Sequence, residues 1–146
     1  MPITISHYGR LASGQEVKRF CLTNNSGLTV SIINYGACVI SIETPDKDGT
    51  FADILLGYDD LAGYEADDKC MGALVGRYCN RIREASFDLD DQTYPLAKND
   101  GENHLHGGLE GFQKRLWEAE IGVNEAGDDV LVMRLFSEDG DQGYPG

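Results

Sequence analysis

No run of about 18 apolar residues occurs in the chain, so no segment is long enough to cross a bilayer as a helix. The opening residues, MPITISHYGRLASG, hold no apolar stretch of signal-peptide length, and the expected location is the cytoplasm. Basic residues are scarce: 12 Lys and Arg stand against 25 Asp and Glu, giving a formal charge of −13 and a pI near 4.4. That sign repels a phosphate backbone and an anionic leaflet, so neither nucleic acid nor a membrane surface is expected as a partner. The four cysteines, Cys21, Cys38, Cys70 and Cys79, show neither CxxC spacing nor the density of a secreted disulfide scaffold, and read as reduced thiols. Phosphate-cradling GxGxxG and GxxxxGKS/T loops are missing, as is any recognisable serine or cysteine nucleophile motif. Repeats of fixed period, low-complexity tracts and Pro/Gly/Ser-rich linkers are lacking too.

What is present is glycine, 18 residues in 146 against four prolines, a balance suited to many tight turns between extended segments. The length supports one domain, and a chain of this size buries about 68–70% of the surface it exposes when unfolded. Period-2 alternation of apolar and polar residues dominates and points to strands with one dry face. Strands are expected over Ile3–His7, Val17–Thr23, Leu28–Asn34, Cys38–Thr44 and Phe51–Leu56. Leu28, Val30 and Ile32 are expected to share one face of their strand, and Cys38, Ile40 and Ile42 one face of theirs. The Asp48-Gly49 pair predicts the hairpin that joins the last two of these strands. Further strands are expected over Ala73–Val75, Ala85–Leu89, Thr93–Leu96, Leu116–Ile121 and Val130–Phe136, about ten in all. Between them, Leu61 and Tyr64 three residues apart predict one or two helical turns over Asp59–Glu65, capped by Asp59 and acidic in the first turn. Residues 137–146 have the composition of a long polar loop, and such a loop at the terminus reads as part of something longer.

Two segments carry candidate chemistry. Gly76-Arg-Tyr-Cys-Asn-Arg-Ile-Arg83 holds three of the 12 cationic residues in an acidic chain. Arginine offers a planar fork of donors and asparagine both a donor and an acceptor, so Asn80 and Arg81 suit neighbouring hydroxyls of a polyol. The same stretch also reads as a solvated strand end whose arginines pair with carboxylates. Asn99-Asp-Gly-Glu-Asn-His-Leu-His-Gly-Gly108 places His104 and His106 in a glycine-rich loop. In an extended segment the two rings point the same way, and with Glu110 they match the HxHxxxE metal-ligand spacing of cupins, although the flanking glycines of that motif are Lys98 and Trp117 here. The alternatives for the pair are hydrogen bonding to a ligand or tying down a turn. Trp117, Phe112 and Tyr144 form either a wall for a sugar ring or part of the core.

Five short motifs in order give the chain a resemblance to the aldose 1-epimerases, or galactose mutarotases. They are Asn34-Tyr-Gly-Ala37, Asp53-Ile-Leu-Leu-Gly-Tyr58, Gly76-Arg-Tyr-Cys-Asn-Arg-Ile82, Asn103-His-Leu-His-Gly-Gly108 with Gly111, Phe112 and Trp117, and Asp139-Gly-Asp-Gln-Gly-Tyr-Pro-Gly146. Cys79 replaces a common alanine, and Asp91-Gln92 the usual Asp-Gly hairpin tip. The resemblance implies an all-β fold, the antiparallel β-sandwich of the galactose mutarotase-like supersandwich, of which residues 1–146 are the N-terminal portion of a single domain. It implies a free aldohexose as small-molecule substrate, anomer interconversion by general acid–base ring opening, and no cofactor. By motif, Asn80 and Arg81 are expected to bind sugar hydroxyls, and His106 to hydrogen-bond the sugar near its reacting end. The family's general acid, a histidine of an Asn-His-Ser-Tyr-type segment, and its general base, a glutamate near the C-terminus, have no counterpart here. His7 and the carboxylates at 138–141 lie in other motifs, and no catalytic residue is assigned. The chain alone is therefore expected to be poorly stable, with open sheet edges, and catalytically silent. A non-catalytic carbohydrate-binding module and a cupin-like metal protein using His104, His106 and Glu110 are the alternatives.

Overall fold

A computed structural model describes residues 3–146. Its first half is a five-stranded antiparallel meander of β1 (Ile3–Arg10), β2 (Glu16–Thr23), β3 (Thr29–Ile33), β4 (Cys38–Pro45) and β5 (Phe51–Asp53) in chain order. The second half is built from three antiparallel pairs. β6 (Arg81–Ile82) joins β9 (His104–Leu105), β7 (Ser86–Leu89) joins β8 (Gln92–Pro95), and β10 (Glu118–Val123) joins β11 (Asp129–Arg134). The only α-helix among the described residues is α1 (Leu61–Ala66), and no helix there is long and apolar enough to cross a membrane.

Most of the expected strands form, with shifted ends. The Asp46–Thr50 turn closes as expected: Asp46 Oδ1 accepts the Asp48 and Thr50 amides at 2.8 and 2.9 Å. The returning strand stops at Asp53 rather than Leu56, because the Asp53 carboxylate accepts the Ile42 and Leu55 amides at 2.9 and 3.0 Å and turns the chain out of the ladder. The alternation in β4 is broken by a bulge. Ile32 faces Val39 but Ser31 faces Ser41, so Ile40 is the extra residue, and Ile42, opposite Val30, lies on the face away from Cys38. The expected common face for Cys38, Ile40 and Ile42 is therefore incorrect. Residues Ala73–Val75 form no strand: Ala73 donates to the Cys70 carbonyl and Leu74 to the Gly36 carbonyl, isolated bonds that build no ladder. The two-residue strands β6 and β9 were not expected.

The main core is Val17, Ile33, Cys38, Leu61 and Tyr64, where α1 lies against the inner face of the meander. Asp60, not Asp59, caps the helix by accepting the Gly63 amide at 3.0 Å, and both aspartates stay outside the first turn. The helix docks over Gly9, where a Cβ would come within 2.8 Å of Leu61 Cδ2, so a side chain there would force Leu61 to shift. Burial pushes the Cys38 thiol up to about 12 and the Tyr8 phenol to about 12. Several large apolar side chains remain open to solvent, with Phe136 86% and Leu56 79% exposed.

The two halves meet at Asn34, whose Oδ1 accepts the Lys18 amide at 2.8 Å while its Nδ2 donates to the Trp117 carbonyl at 3.3 Å. Its own carbonyl accepts the Trp117 amide at 2.7 Å, so this buried asparagine joins the meander to the segment that enters β10.

Candidate functional site

The two motifs singled out in the sequence pack against each other through the short β6–β9 ladder, in which Arg81 faces Leu105 and Ile82 faces His104. At its end the His106 amide donates to the Asn80 carbonyl at 3.1 Å, and the Asn80 amide donates to His106 Nδ1 at 3.1 Å. Both residues are left-handed, with φ of 66° at Asn80 and 51° at His106. For a non-glycine residue that backbone costs roughly 1 kcal/mol, less for asparagine, and persists only where neighbours enforce it. One enforcing contact is Gly107, at φ +79°, where a Cβ would lie 1.7 Å from the Gly76 carbonyl oxygen; only glycine allows the two segments to touch.

Asn80, Arg81 and His106 are thus neighbours. Arg81 Nη1 donates to Asn80 Oδ1 at 3.0 Å and Arg81 Nε donates to Asp100 Oδ2 at 2.6 Å. Since a backbone N–H can only donate, His106 Nδ1 must be the acceptor, and the neutral ring carries its proton on Nε2. Asn80 Nδ2, Arg81 Nη2 and His106 Nε2 have no hydrogen-bond partner among the described residues. Three neighbouring side chains therefore each hold a spare donor. Of the three, Arg81 also lines a groove of about 480 Å³, together with Arg77, Tyr78, Ile82, Phe87, Leu89, Tyr144 and Pro145, a mostly apolar wall with two arginines on it.

His104 has the opposite assignment. It is fully buried, and Nδ1 must donate to the Ala97 carbonyl at 2.8 Å because that oxygen can only accept. Nε2 then accepts the Tyr144 hydroxyl at 2.7 Å. With both nitrogens engaged, His104 is not a metal ligand. The expectation that it and His106 point the same way fails because β9 ends at Leu105 and His106 leaves the extended conformation. Glu110 is exposed, and no group of three potential metal ligands occurs among the described residues. The cupin-like reading is withdrawn on that geometry.

The remaining candidates are structural. Arg77 clamps the last segment: Nε donates to Ser137 Oγ at 2.8 Å, Nη1 to the Pro145 carbonyl at 3.0 Å, and Nη2 to the Ser137 and Glu138 carbonyls at 3.0 and 2.5 Å. Arg83 is exposed and pairs with Glu84. Arg115 grips Asp141 through both oxygens at 2.6 and 2.7 Å, and Ser137 Oγ donates to the same carboxylate at 2.5 Å. Arg115, and after it Ser137, hold the Asp141 carboxyl below the usual range, and Asp141 in turn raises Arg115. Residues 137–146, expected as a long polar loop, are tied down, and Tyr144 is buried edge-on against His104 and stacked on Phe87 at 6.0 Å. The three aromatics make no common wall. Tyr144 lines the groove, while Phe112 and Trp117 form a separate edge-to-face pair at 6.0 Å. Sequence reasoning missed Asn99 and Asp100, whose side chains reach into the site; an Asn-Asp-Gly stretch signals a turn and does not say where the side chains bond.

Comparison with known proteins agrees with the motifs. The family model for aldose 1-epimerase matches residues 18–146. Galactose mutarotase from Bos taurus is 40% identical over 145 residues, which is 99% of this chain and 41% of the relative. Aldose 1-epimerase from Escherichia coli (strain K12) is 39% identical over 133 residues, 91% of this chain and 37% of the relative. The crystal structure of galactose 1-epimerase from Lactobacillus acidophilus NCFM superposes with a TM-score of 0.83 at 26% identity, covering 99% of this chain and 41% of that one. The architecture is accordingly the antiparallel β-sandwich of the galactose epimerases, and the chain spans about two fifths of the length of these relatives. With five motifs in order, a matching fold and a family model covering residues 18–146, the chain belongs to the aldose 1-epimerase family.

Proposed function

We propose that residues 1–146 are the N-terminal, sugar-binding portion of a single aldose 1-epimerase domain, acting in the cytoplasm on a free aldohexose such as galactose or glucose. Asn80 and Arg81 bind ring hydroxyls, and His106 donates from Nε2 to a sugar oxygen near the reacting end. The observation that carries this reading is the meeting of three spare donors, on the neighbouring residues Asn80, Arg81 and His106, of which Arg81 also lines the groove. Sugar oxygens are acceptors, and a neutral ligand meets no penalty from a net charge of −13.

Mutarotation needs a proton donated to the ring oxygen while the anomeric hydroxyl is deprotonated, after which C1–C2 rotates and the ring closes on the other face. General acid–base catalysis of this kind contributes typically ~10²–10⁴-fold and calls for neither metal nor organic cofactor. No residue of this chain is assigned as the acid or the base. Its own part is to hold the sugar in place, and the chain by itself is catalytically silent.

Titration calorimetry with D-galactose and D-glucose tests the binding, and polarimetry of fresh α-D-glucose tests the chemistry. Hexose binding to the wild type, weakened at least tenfold in Arg81→Ala with no acceleration of the rotation change, is the expected outcome. Absence of hexose binding removes the assignment of these three residues, and acceleration by this chain alone refutes the absence of an acid and a base.

A further inference from the structure

His106 lies just past the end of β9, and the position of its ring depends on a left-handed backbone that must be held from both sides. On one side its amide is fixed by the Asn80 carbonyl, and its own carbonyl accepts Gln113 Nε2 at 3.2 Å. The flanks are bridged by the Gly108 amide, which donates to the Leu105 carbonyl at 3.1 Å, and by one carboxamide. Asn99 Oδ1 accepts the Leu105 amide at 2.7 Å, and Asn99 Nδ2 donates to the Leu105 and Gly108 carbonyls at 2.9 and 3.1 Å. These bonds use both amide protons of Asn99 and grip the backbone one residue before and two residues after His106.

We propose that Asn99 is a positioning residue: its carboxamide sets the 105–108 turn so that the imidazole of His106 keeps Nδ1 on the Asn80 amide and presents Nε2–H. The value of that donor to a sugar rests on the function proposed above; the positioning itself does not. The hydrogen bond to Nδ1 is already 3.1 Å, so a drift of the turn by about 1 Å breaks it and frees the ring to carry its proton on either nitrogen. Asp100, the next residue, holds Arg81 from its other side, so one dipeptide orients two of the three proposed sugar contacts.

The histidines make this directly readable. The chain has three, and His104 and His106 are fixed in opposite tautomers, so long-range proton–nitrogen NMR of the labelled 146-residue chain assigns each ring. In Asn99→Ala the separation between the two His106 ring-nitrogen shifts is expected to shrink as the second tautomer is populated, while His104 keeps its Nδ1–H pattern and so reports an intact fold. An unchanged His106 pattern beside an unchanged His104 overturns the proposal. If Asn99→Ala loses the His104 pattern, the wild type decides by hydrogen exchange. The Asn99 carboxamide and the Asn80 amide are expected to open in one step; protection of Asn80 while the Asn99 carboxamide exchanges freely refutes the coupling. Hexose titration then separates the two claims. Binding weakened about fivefold to tenfold in Asn99→Ala supports the positioning role, as expected for a hydrogen bond lost through a neighbour. If no hexose perturbs His106 in the wild type, the sugar assignment falls and the tautomer comparison still decides the role of Asn99.

Discussion

Removing the Asp141 carboxylate is the sharpest test of how the last ten residues are held. Side-chain exposure is 11% for Asp141 and 23% for its partner Arg115, so water screens the pair only partly. The carboxylate accepts two guanidinium bonds and one hydroxyl bond, each charge-assisted and each contributing about 1.5–3 kcal/mol on that scale. The three share one acceptor and are not additive, and Arg115 keeps its two bonds to the Glu110 carbonyl at 3.0 and 2.8 Å. Asp141→Ala is therefore expected to cost about 3 kcal/mol, which lowers Tm by on the order of 10 °C for a chain of this size. Urea denaturation followed by the fluorescence of Trp117, the one tryptophan, measures it. Glu138→Ala is the control: its side chain is exposed and only its backbone carbonyl meets Arg77, so the change is expected to stay within about 0.5 kcal/mol. The pH dependence adds an independent sign. The folded carboxyl lies below its ordinary value, so its contribution is complete above the unfolded value of about 3.9 and is lost as pH falls through the lower folded value. Asp141→Asn should remove that part of the acid limb. Equal losses in Asp141→Ala and Glu138→Ala, or superimposable acid limbs for wild type and Asp141→Asn, would refute the clamp.

Gly107→Ala places a methyl 1.7 Å from the Gly76 carbonyl at a positive φ, and is expected to cost more than about 2 kcal/mol and to separate β6 from β9; thermal melting and the loss of protection at the His106 amide check it. The Cys38 thiol, held up to about 12 by burial, stays protonated below that pH, so mass spectrometry after brief iodoacetamide treatment at pH 8 should find the exposed Cys79 modified and Cys38 unmodified; native alkylation of Cys38 at a comparable rate would contradict its burial.

The parts of the fold that were legible in the sequence are the strands of four or more residues bounded by turn signals, β1 to β4, β7, β8, β10 and β11. The bulge at Ile40 was not legible, since one inserted residue leaves the local pattern apolar and reveals itself only in the partner register. Nor were β6 and β9, each two residues long, because no periodicity exists at that length and tertiary contacts at Asn80, Gly107 and Gly76 hold them. Asn80, Arg81 and His106 were singled out through motif resemblance, whereas residue type and spacing alone favoured surface pairing for the basic stretch. Arg83 is in fact a surface pair and Arg77 a clamp. Residue type announced that an arginine would bond to oxygen, but not which oxygen.

The different fates of His104 and His106 come from a single backbone event. Had β9 continued, period-2 geometry would have put both rings on the same face and buried or exposed them together. Ending the strand at Leu105 and turning His106 left-handed sends one ring inward, where Ala97 and Tyr144 use both its nitrogens, and leaves the other with a spare donor. Arg81, whose charge is offset by Asp100 at 2.6 Å, adds a donor without a strong local field. Arg77, the second arginine on the groove, spends its guanidinium on the Ser137 hydroxyl and on the Ser137, Glu138 and Pro145 carbonyls, so one arginine closes the last segment onto the groove while the other holds an unused donor at its edge.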